Sequence, residues 1–388
     1  MKKPFLLALV ATLLWGVVFT SCRKEPEVLP QEYDEITQAK RPDDALRGLY
    51  LLNEGNMGSN KATLDFLDFT RGFYIRNIYA QNNPTVVKEL GDTGNDLQLY
   101  NNRLYVVLNG SHKVEVVEAG TCRRIGQVDI PSPRYIAFDG NYAYVTSYVN
   151  PQASGTDVKG SVYKIDLASL SVVGNLLVGY SPEEAVVLNG KLYVANSGGT
   201  QGFSSGNFDR TVSVIDLTEF KEIGKAEVGI NPTRIRKDPN NRLWVLSQGN
   251  YADVPATLYV LEASGNDGAL KEVAKLDIPA AKYTFYKDNM LYYCSVWDAQ
   301  AQAMKLSYGK ININTLSGES TPLITDGSDA QIETAYEIAV HPTTGEFFIT
   351  DAGNFTSGGK IFAYSAEGKL LYQAKTGDIP GHIAFMPR

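Results

Sequence analysis

Few residues of this 388-residue chain have the types and spacing that catalysis or metal binding requires. Only three histidines occur, and two of them, His112 in a tight turn and His341 before a proline, belong to no pattern of metal ligands. The pair Asp326 and Asp329 lacks the spacing of a calcium-binding loop. The chain also has no phosphate-binding glycine loop, dinucleotide fingerprint or His-Glu-x-x-His motif. The sequence therefore predicts a non-enzymatic protein with no catalytic residue, no metal and no cofactor.

One set of charged side chains recurs about ten residues before a repeated aromatic residue. A common position within each repeat predicts that these side chains converge on one place in the fold. They form either a polar floor beneath a bound ligand or a hydrated rim held together by salt bridges. The set comprises Arg134, Glu184, Arg234 and Lys282, with Glu337 and His382 near the equivalent positions of the last two repeats.

A second set of candidate residues lies in the segments that follow each repeated aromatic. These segments (53–61, 148–159, 196–210, 248–256 and 297–309, with 352–359 slightly shorter) are rich in Asn, Gln, Ser and Gly. Exposed aromatics among small polar residues suit an amphipathic ligand, unless the rings pack against the sheet beneath them. The candidate ligand-binding residues here are Met57, Tyr148, Phe203, Phe208, Tyr251, Trp297, Tyr308 and Phe355.

The element that must position both sets is a repeated unit of β-structure. An aromatic-centred strand that runs into a polar turn returns seven times, about every 40 to 55 residues. A loop, a second alternating strand, a weaker third strand and a corner that often contains proline follow each copy. A repeat of this length in an all-β sequence is typical of propeller blades. The central aromatics are Tyr50, Tyr105, Tyr144, Tyr193, Trp244, Tyr292 and Phe348.

The repeat predicts an all-β fold, a seven-bladed β-propeller of four-stranded antiparallel blades over residues 48–388. No amphipathic helix is predicted after residue 48. The first repeat begins at its second strand, and residues 381–386 match the inner strand of a blade. We therefore expect a C-terminal strand to join the N-terminal blade and close the ring, which removes exposed sheet edges. The charged set would then surround the mouth of the central channel, and the long segments would share one face.

The N-terminus predicts export and lipid anchoring. Lys2 and Lys3 precede an apolar run over residues 5–20, and small residues lead to Cys22. Residues 1–21 are read as a lipoprotein signal peptide, and residues 22–47 as a lipidated Cys22 with a flexible tether. The alternative is an uncut transmembrane anchor, although about 16 apolar residues fall short of the roughly 20 needed to span a bilayer.

Charge and cysteine content exclude other classes. The formal charge is −7, and removal of Lys2 and Lys3 with the signal peptide lowers it by two to −9. An acidic chain without a basic stripe argues against binding nucleic acid. Cys122 and Cys294 fall on strands of distant repeats, which predicts two buried free thiols rather than a disulfide.

Several strand motifs resemble those of the YVTN (YncE-like) seven-bladed propellers. The motifs are Ala143-Tyr144-Val145-Thr146-Ser147, Leu192-Tyr193-Val194-Ala195-Asn196, Val214-Ile215-Asp216-Leu217 and Val228-Gly229-Ile230-Asn231-Pro232. With the lipoprotein signal, the chain is similar to propeller lipoproteins of gut Bacteroidota. One branch of these proteins captures vitamin B12 at the cell surface and passes it to a TonB-dependent outer-membrane transporter.

The resemblance implies a surface-exposed lipoprotein of the outer membrane that binds a corrinoid and partners a TonB-dependent transporter. It transfers no ligand contact residue by residue, because the shared motifs are structural. Alternatives on the same face are a protein–protein interaction scaffold or a binder of another nutrient or glycan. An enzymatic alternative, a lyase or lactonase, would require a divalent metal in the channel.

Overall fold

The structure is a computed structural model that describes residues 33–86, 90–149, 158–265, 267–317 and 320–388. The predicted signal peptide, Cys22 and the first part of the predicted tether lie outside these residues, as do residues 150–157 of one long loop. The described chain forms seven antiparallel sheets arranged as blades around a central channel, which confirms the seven-bladed propeller.

Blades 1 to 3 contain the N-terminal strands, and blade 1 also contains the C-terminal strand. Blade 1 contains β1 (Tyr33–Glu35), β2 (Leu46–Asn53), β3 (Thr63–Asp68), β4 (Phe73–Ile75) and β29 (Pro380–Pro387). Blade 2 contains β5 (Gly94–Tyr100), β6 (Arg103–Leu108), β7 (Lys113–Glu118) and β8 (Arg124–Asp129). Blade 3 contains β9 (Pro133–Asp139), β10 (Tyr142–Ser147), β11 (Ser161–Asp166) and β12 (Ser171–Leu177).

The other four blades repeat the four-stranded pattern. Blade 4 contains β13 (Pro182–Leu188), β14 (Lys191–Asn196), β15 (Thr211–Asp216) and β16 (Lys221–Glu227). Blade 5 contains β17 (Pro232–Lys237), β18 (Leu243–Ser247), β19 (Thr257–Ser264) and β20 (Ala269–Leu276). Blade 6 contains β21 (Ala280–Tyr286), β22 (Asn289–Asp298), β23 (Ala303–Asn312) and β24 (Thr321–Pro322). Blade 7 contains β25 (Ala335–Val340), β26 (Phe347–Asp351), β27 (Gly358–Tyr364) and β28 (Leu370–Asp378).

The ring closes as the sequence predicts. Strand β29 pairs with β2 over the register Leu46↔Pro387 to Asn53↔Pro380 and forms the inner strand of blade 1. It also contacts the inner strands of blades 2 and 7, β5 and β25. All seven blades and the closing strand therefore lie within residues 33–388.

The repeated aromatics are structural. All seven are at most 6% exposed and pack between neighbouring blades, because a sheet in the ring must bury both of its faces. Some hydroxyls also link adjacent blades: Tyr50 donates to the carbonyl of Ala119 at 2.6 Å, and Tyr193 to that of Gly268 at 3.1 Å. The two remaining cysteines, Cys122 and Cys294, are buried and unpaired, as predicted.

The folded unit begins earlier than the predicted boundary at residue 48. Within the segment assigned to the tether, Tyr33–Glu35 adds a fifth strand at the outer edge of blade 1, and a 3-10 turn follows at Thr37–Ala39. Asp44 Oδ1 lies 3.1 Å from His341 Nε2 of blade 7. A tether can therefore extend only as far as residue 32. The short polar runs here lack a strand period, so the sequence did not reveal their packing.

Two short helices lie after residue 48, where the sequence predicts no amphipathic helix. Helix α1 (Ile78–Asn82) follows β4, and helix α2 (Gly199–Ser205) lies in the loop after β14. A further 3-10 turn spans Ser328–Gln331. Five and seven residues are too few to display an amphipathic period. In the described part of the chain, no helix combines the length and apolarity needed to cross a bilayer.

Candidate functional site

A β-bulge in every inner strand builds the centre of the molecule. In all seven blades the inner strand contains one extra residue near its start, opposite the end of the second strand. A bulge re-aims the side chains beside it, so each blade presents one residue at the same level of the channel. We call these seven residues the channel ring: Asp96, Tyr135, Glu184, Arg234, Lys282, Glu337 and His382.

Glu337 is the acceptor at one side of the channel ring. Its Oε2 lies 3.3 Å from Arg234 Nη2 and 3.2 Å from Lys282 Nζ. Burial alone would raise the pKa of Glu337, but the charges of Lys282 and Arg234 outweigh it and hold the pKa well below its usual value. Burial lowers the pKa of Lys282, and Glu337 opposes that shift. The three groups form a charge-paired cluster that spans blades 5, 6 and 7.

Glu184 and His382 continue the network on the other side. Glu184 Oε1 lies 2.9 Å from Arg236 Nε and 3.9 Å from Arg234 Nη1. His382 Nε2 lies 3.3 Å from a carboxylate oxygen of Glu54, while its Nδ1 lies 4.0 Å from both Asp96 and Glu337. Burial raises the pKa of Asp96, and His382 opposes that shift. The basic groups Arg234, Lys282 and His382 thus lie beside carboxylates of neighbouring blades, so the charges of the ring largely compensate one another.

Arg134 lies one residue before the ring level. Its guanidinium pairs with Glu183, with Nη2 to Oε2 at 3.0 Å, and stacks over the ring of Tyr148 at 4.7 Å. The Tyr148 hydroxyl donates to the same carboxylate. Arg134 therefore belongs to a second layer towards the long loops, and Tyr148 points inward instead of standing on the surface.

Sequence reasoning found five of the seven ring residues and missed Asp96 and Tyr135. The alignment placed Arg134 at the position that Tyr135 occupies, because it assumed a fixed distance to the repeated aromatic. The turn between the inner and second strands spans residues 140–141 in blade 3 but 238–242 in blade 5, so that distance differs between blades. A count of two residues from the corner prolines would have identified the ring in four blades: Pro133, Pro182, Pro232 and Pro380 precede Tyr135, Glu184, Arg234 and His382. In blade 2 a glycine, Gly94, takes the place of the proline.

The loops between the second and third strands form one face of the ring, which we call the loop face. Its most prominent feature is a pair of stacked rings from neighbouring blades, Phe203 of helix α2 and Tyr251 of blade 5. Their centroids lie 5.6 Å apart with 17° between the planes, and the residues are 73% and 63% exposed. Phe208 is half-buried and packs edge-on against Phe203.

The other predicted loop residues divide into two groups. Met57, Trp297 and Phe355 are exposed on blades 1, 6 and 7, with Phe355 edge-on to Tyr336. Tyr308 is not in a loop, because β22 and β23, with ten residues each, continue as a hairpin through the segment predicted as the loop 297–309. Tyr308 is half-buried and packs between blades 6 and 7. The polar run after Trp297 resembles a loop in sequence but forms only the hairpin turn.

A cavity of about 550 Å³ occupies the channel on the other side of the ring. It extends from the ring residues Asp96, Glu184, Glu337 and His382 along the inner strands to Lys237. The channel ring thus separates this cavity from the loop face. The ring residues that line it are mostly buried and charge-paired, as expected for a rigid floor.

One short motif in the loop after β14 resembles a catalytic pattern in sequence but not in structure. Residues 202–206 read Gly-Phe-Ser-Ser-Gly, which matches the spacing of a nucleophile elbow. An elbow places its serine at a sharp strand-to-helix turn, whereas Ser204 lies inside helix α2 and donates to the carbonyls of Thr200 and Gln201.

The structure also offers no metal site among the residues that it describes. His112 lies in a turn of blade 2, where its Nδ1 accepts a hydrogen bond from the backbone N–H of Ser132. Among the described residues, no cluster of three or more His, Cys, Asp or Glu side chains could hold a metal ion.

Known structures share the architecture of this chain at low sequence identity. A quinoprotein alcohol dehydrogenase-like protein from Bacteroides thetaiotaomicron is 17% identical, with a TM-score of 0.59 over 87% of this chain and 78% of that one. Kuenenia stuttgartiensis hydrazine synthase is 16% identical, with a TM-score of 0.58 over 74% and 88%. A hypothetical selenium-binding protein from Sulfolobus tokodaii is 10% identical, with a TM-score of 0.57 over 90% and 97%.

These likenesses establish the propeller fold alone, since identities of 10–17% transfer no activity. A comparison with curated proteins finds no significant match. A family profile, in contrast, matches residues 47–378, from the start of β2 to the end of β28. The chain therefore belongs to the family described as a domain of unknown function, DUF5074.

Proposed function

We propose that this chain is a non-enzymatic binding protein that captures an amphipathic ligand on its loop face. The observation that carries the proposal is the exposed Phe203–Tyr251 stack beside a rigid, charge-compensated channel ring. Exposed large apolar groups recur around the same face, including Met57, Trp297 and Phe355. Of these groups, only Phe203 and Tyr251 form a contiguous exposed apolar surface, and such surface commonly marks a site of interaction.

A corrinoid is the ligand that we propose. It is a broad, amphipathic macrocycle that carries amide arms, so its face can stack on Phe203 or Tyr251 while its rim exchanges hydrogen bonds with amide side chains. The loop that follows helix α2 supplies an exposed amide of this kind at Asn207. Aromatic platforms with adaptable polar neighbours suit this kind of recognition.

Location and partner complete the proposal. Lipidation at Cys22 would anchor the chain in the outer membrane at the cell surface, and the lipoprotein resemblance makes a TonB-dependent transporter the recipient of the ligand. A multi-chain lipid anchor is effectively permanent. The bound corrinoid would thus be concentrated beside its transporter rather than lost to the medium.

Calorimetry with cyanocobalamin on residues 23–388 tests the ligand. We expect binding at micromolar protein or tighter, and at least a tenfold loss of affinity in Phe203→Ala/Tyr251→Ala. Ile223→Ala is the matched control, because it removes an exposed apolar side chain from the outer strand β16 of blade 4. No heat with the unmodified chain, or equal affinity in the double variant, would reject the corrinoid site.

A second candidate function is a protein-docking scaffold. The spread of exposed apolar groups favours it, because they occur on blades 1, 4, 5, 6 and 7 and so cover more of the face than one stacked ligand needs. A scaffold would co-purify with an outer-membrane protein while showing no affinity for cobalamin. The enzymatic alternative would instead require a bound divalent metal, which elemental analysis of the purified chain detects.

A further inference from the structure

A basic cleft lies between blades 1 and 2, on the face of the ring opposite the loop face. Its cationic side chains are Arg47 at the start of β2, Arg71 in the turn between β3 and β4, and Arg123 in the turn between β7 and β8. Together they line a cavity of about 290 Å³. A second cavity of about 470 Å³ shares Arg47 and Arg71 and adds the C-terminal Arg388.

The internal contacts of Arg47, Arg71 and Arg123 leave most of their donors unused, whereas Arg388 donates to the carbonyls of Pro42 and Asp44 and to the Thr70 hydroxyl. A guanidinium carries five N–H groups. Arg47 Nη1 donates to the Gly120 carbonyl at 2.6 Å, and Arg71 Nε donates to Asp68 Oδ2 at 2.8 Å. Within the part of the chain that the structure describes, the exposed Arg123 guanidinium has no hydrogen-bond or ion-pair partner.

The charges around the cleft do not cancel. Two carboxylates lie nearby: Asp68, which is bound to Arg71, and Glu118, which accepts from the Thr121 hydroxyl. Four arginines thus surround the joined cavities in a protein whose formal charge is −7. Such local concentration of one sign against the overall charge attracts a ligand of the opposite sign.

We propose that this cleft binds a phosphate group carried on an organic body. Planar guanidinium forks match the oxygens of phosphate and form paired, charge-assisted hydrogen bonds with them. The inner wall of the same cavity is apolar, built from Phe66, Ile75 and Ile78. A phosphate attached to a sugar or lipid would place its charge among the arginines and its body against this wall.

The position of the cleft suits a phosphate at the membrane surface. Tyr33, the first described residue, pairs with Ile75 in the cleft wall. Tyr33 lies eleven residue steps from Cys22, a span of about 40 Å at most. A headgroup phosphate held in the cleft would turn the loop face away from the membrane and towards the medium. This orientation rests on the lipid anchor proposed above, whereas binding of a soluble phosphate ester does not.

Residues 23–388 provide the test, since they contain the complete ring and lack the lipid. One arm titrates glucose 1-phosphate and inorganic pyrophosphate by calorimetry. The other measures flotation with phosphatidylcholine vesicles that contain phosphatidic acid, against vesicles of phosphatidylcholine alone. Binding in the first arm identifies a soluble phosphate, and binding only to the phosphatidic acid vesicles identifies a lipid headgroup.

Variants assign the binding to the cleft. We expect at least a tenfold loss of affinity in Arg71→Ala/Arg123→Ala, and in Arg123→Glu, whose exposed site leaves the fold intact. Lys221→Ala/Lys271→Ala removes the same charge from exposed sites on blades 4 and 5 and should bind as the unmodified chain does. The proposal is overturned if neither arm shows binding, or if the cleft variants bind no worse than the lysine control. Cobalamin calorimetry reads the loop face, so the two proposals fail independently.

Discussion

At the scale of single residues, the centre of this propeller is governed by charge compensation. Glu337 pairs with both Arg234 and Lys282, and all three groups are largely removed from solvent. A buried ion pair contributes little compared with an apolar core, but removal of one partner leaves an uncompensated buried charge. The channel ring should therefore tolerate coordinated changes and resist single ones.

Glu337→Gln tests this argument directly. The substitution leaves Arg234 and Lys282 without their shared acceptor, so we expect the free energy of unfolding at pH 7 to fall by about 3–5 kcal/mol. Chemical denaturation monitored by tryptophan fluorescence measures the change. Glu262→Gln on the exposed end of β19 is the control and should change stability by less than about 0.5 kcal/mol.

The same carboxylate predicts the acid limb of the stability curve. The folded state lowers the pKa of Glu337, so its stabilisation is complete above the unfolded pKa near 4.5 and is lost as pH falls towards the folded value. The difference between the unmodified chain and Glu337→Gln should therefore stay constant from pH 7 down to about 5 and shrink as pH falls below 4.5. A difference that stays constant below pH 4.5 would contradict the proposed pairing.

At the scale of elements, the strand pattern explains which features could be predicted from the sequence, and the turns and hairpins explain which features could not. Strand alternation and the buried aromatics revealed seven blades, because both repeat at fixed positions such as Tyr144 and Tyr193. All inner strands carry the same bulge, but the turn that follows them varies in length between blades. A fixed distance from the repeated aromatic therefore missed Tyr135. The hairpin that carries Trp297 and Tyr308 was predicted as a loop, because its polar tip hides the strand alternation on either side.

Helix α2 places Phe203 against Tyr251, and Gly198 lets the backbone turn into the start of this helix. Gly198 adopts φ +65°, and a Cβ atom there would lie 2.1 Å from the backbone nitrogen of Asp209. Gly198→Ala should therefore displace the helix, lower stability by about 1–3 kcal/mol and accelerate chymotrypsin cleavage at Phe203. Gly206→Ala at the other end is the matched control, since its φ is +78° but no atom lies within 4 Å of the added Cβ. Equal cleavage rates in the two variants would show that the entry turn does not position the ring.

At the scale of the whole molecule, the two faces of the ring have different chemistry. The loop face carries the stacked rings and scattered exposed apolar groups, while the opposite face carries the arginine cleft between blades 1 and 2. The channel ring lies between them as a charge-paired partition. The proposed lipid anchor would let the cleft contact a phosphate-bearing surface on one side while the loop face remains open on the other.

The closing strand makes this arrangement depend on the last residues of the chain. Strand β29 pairs with β2 and brings His382 between Glu54, Asp96 and Glu337, so it links blades 1, 2 and 7. Deletion of residues 380–388 leaves β2 unpaired on its inner side and removes one wall of the channel. We expect the cooperative thermal transition to disappear and hydrophobic dye binding to rise. Cys22→Ala, which changes only the proposed lipid site, should melt like the unmodified chain while leaving the outer-membrane fraction. A truncated chain that still melts cooperatively would show that the ring closes without its C-terminal strand.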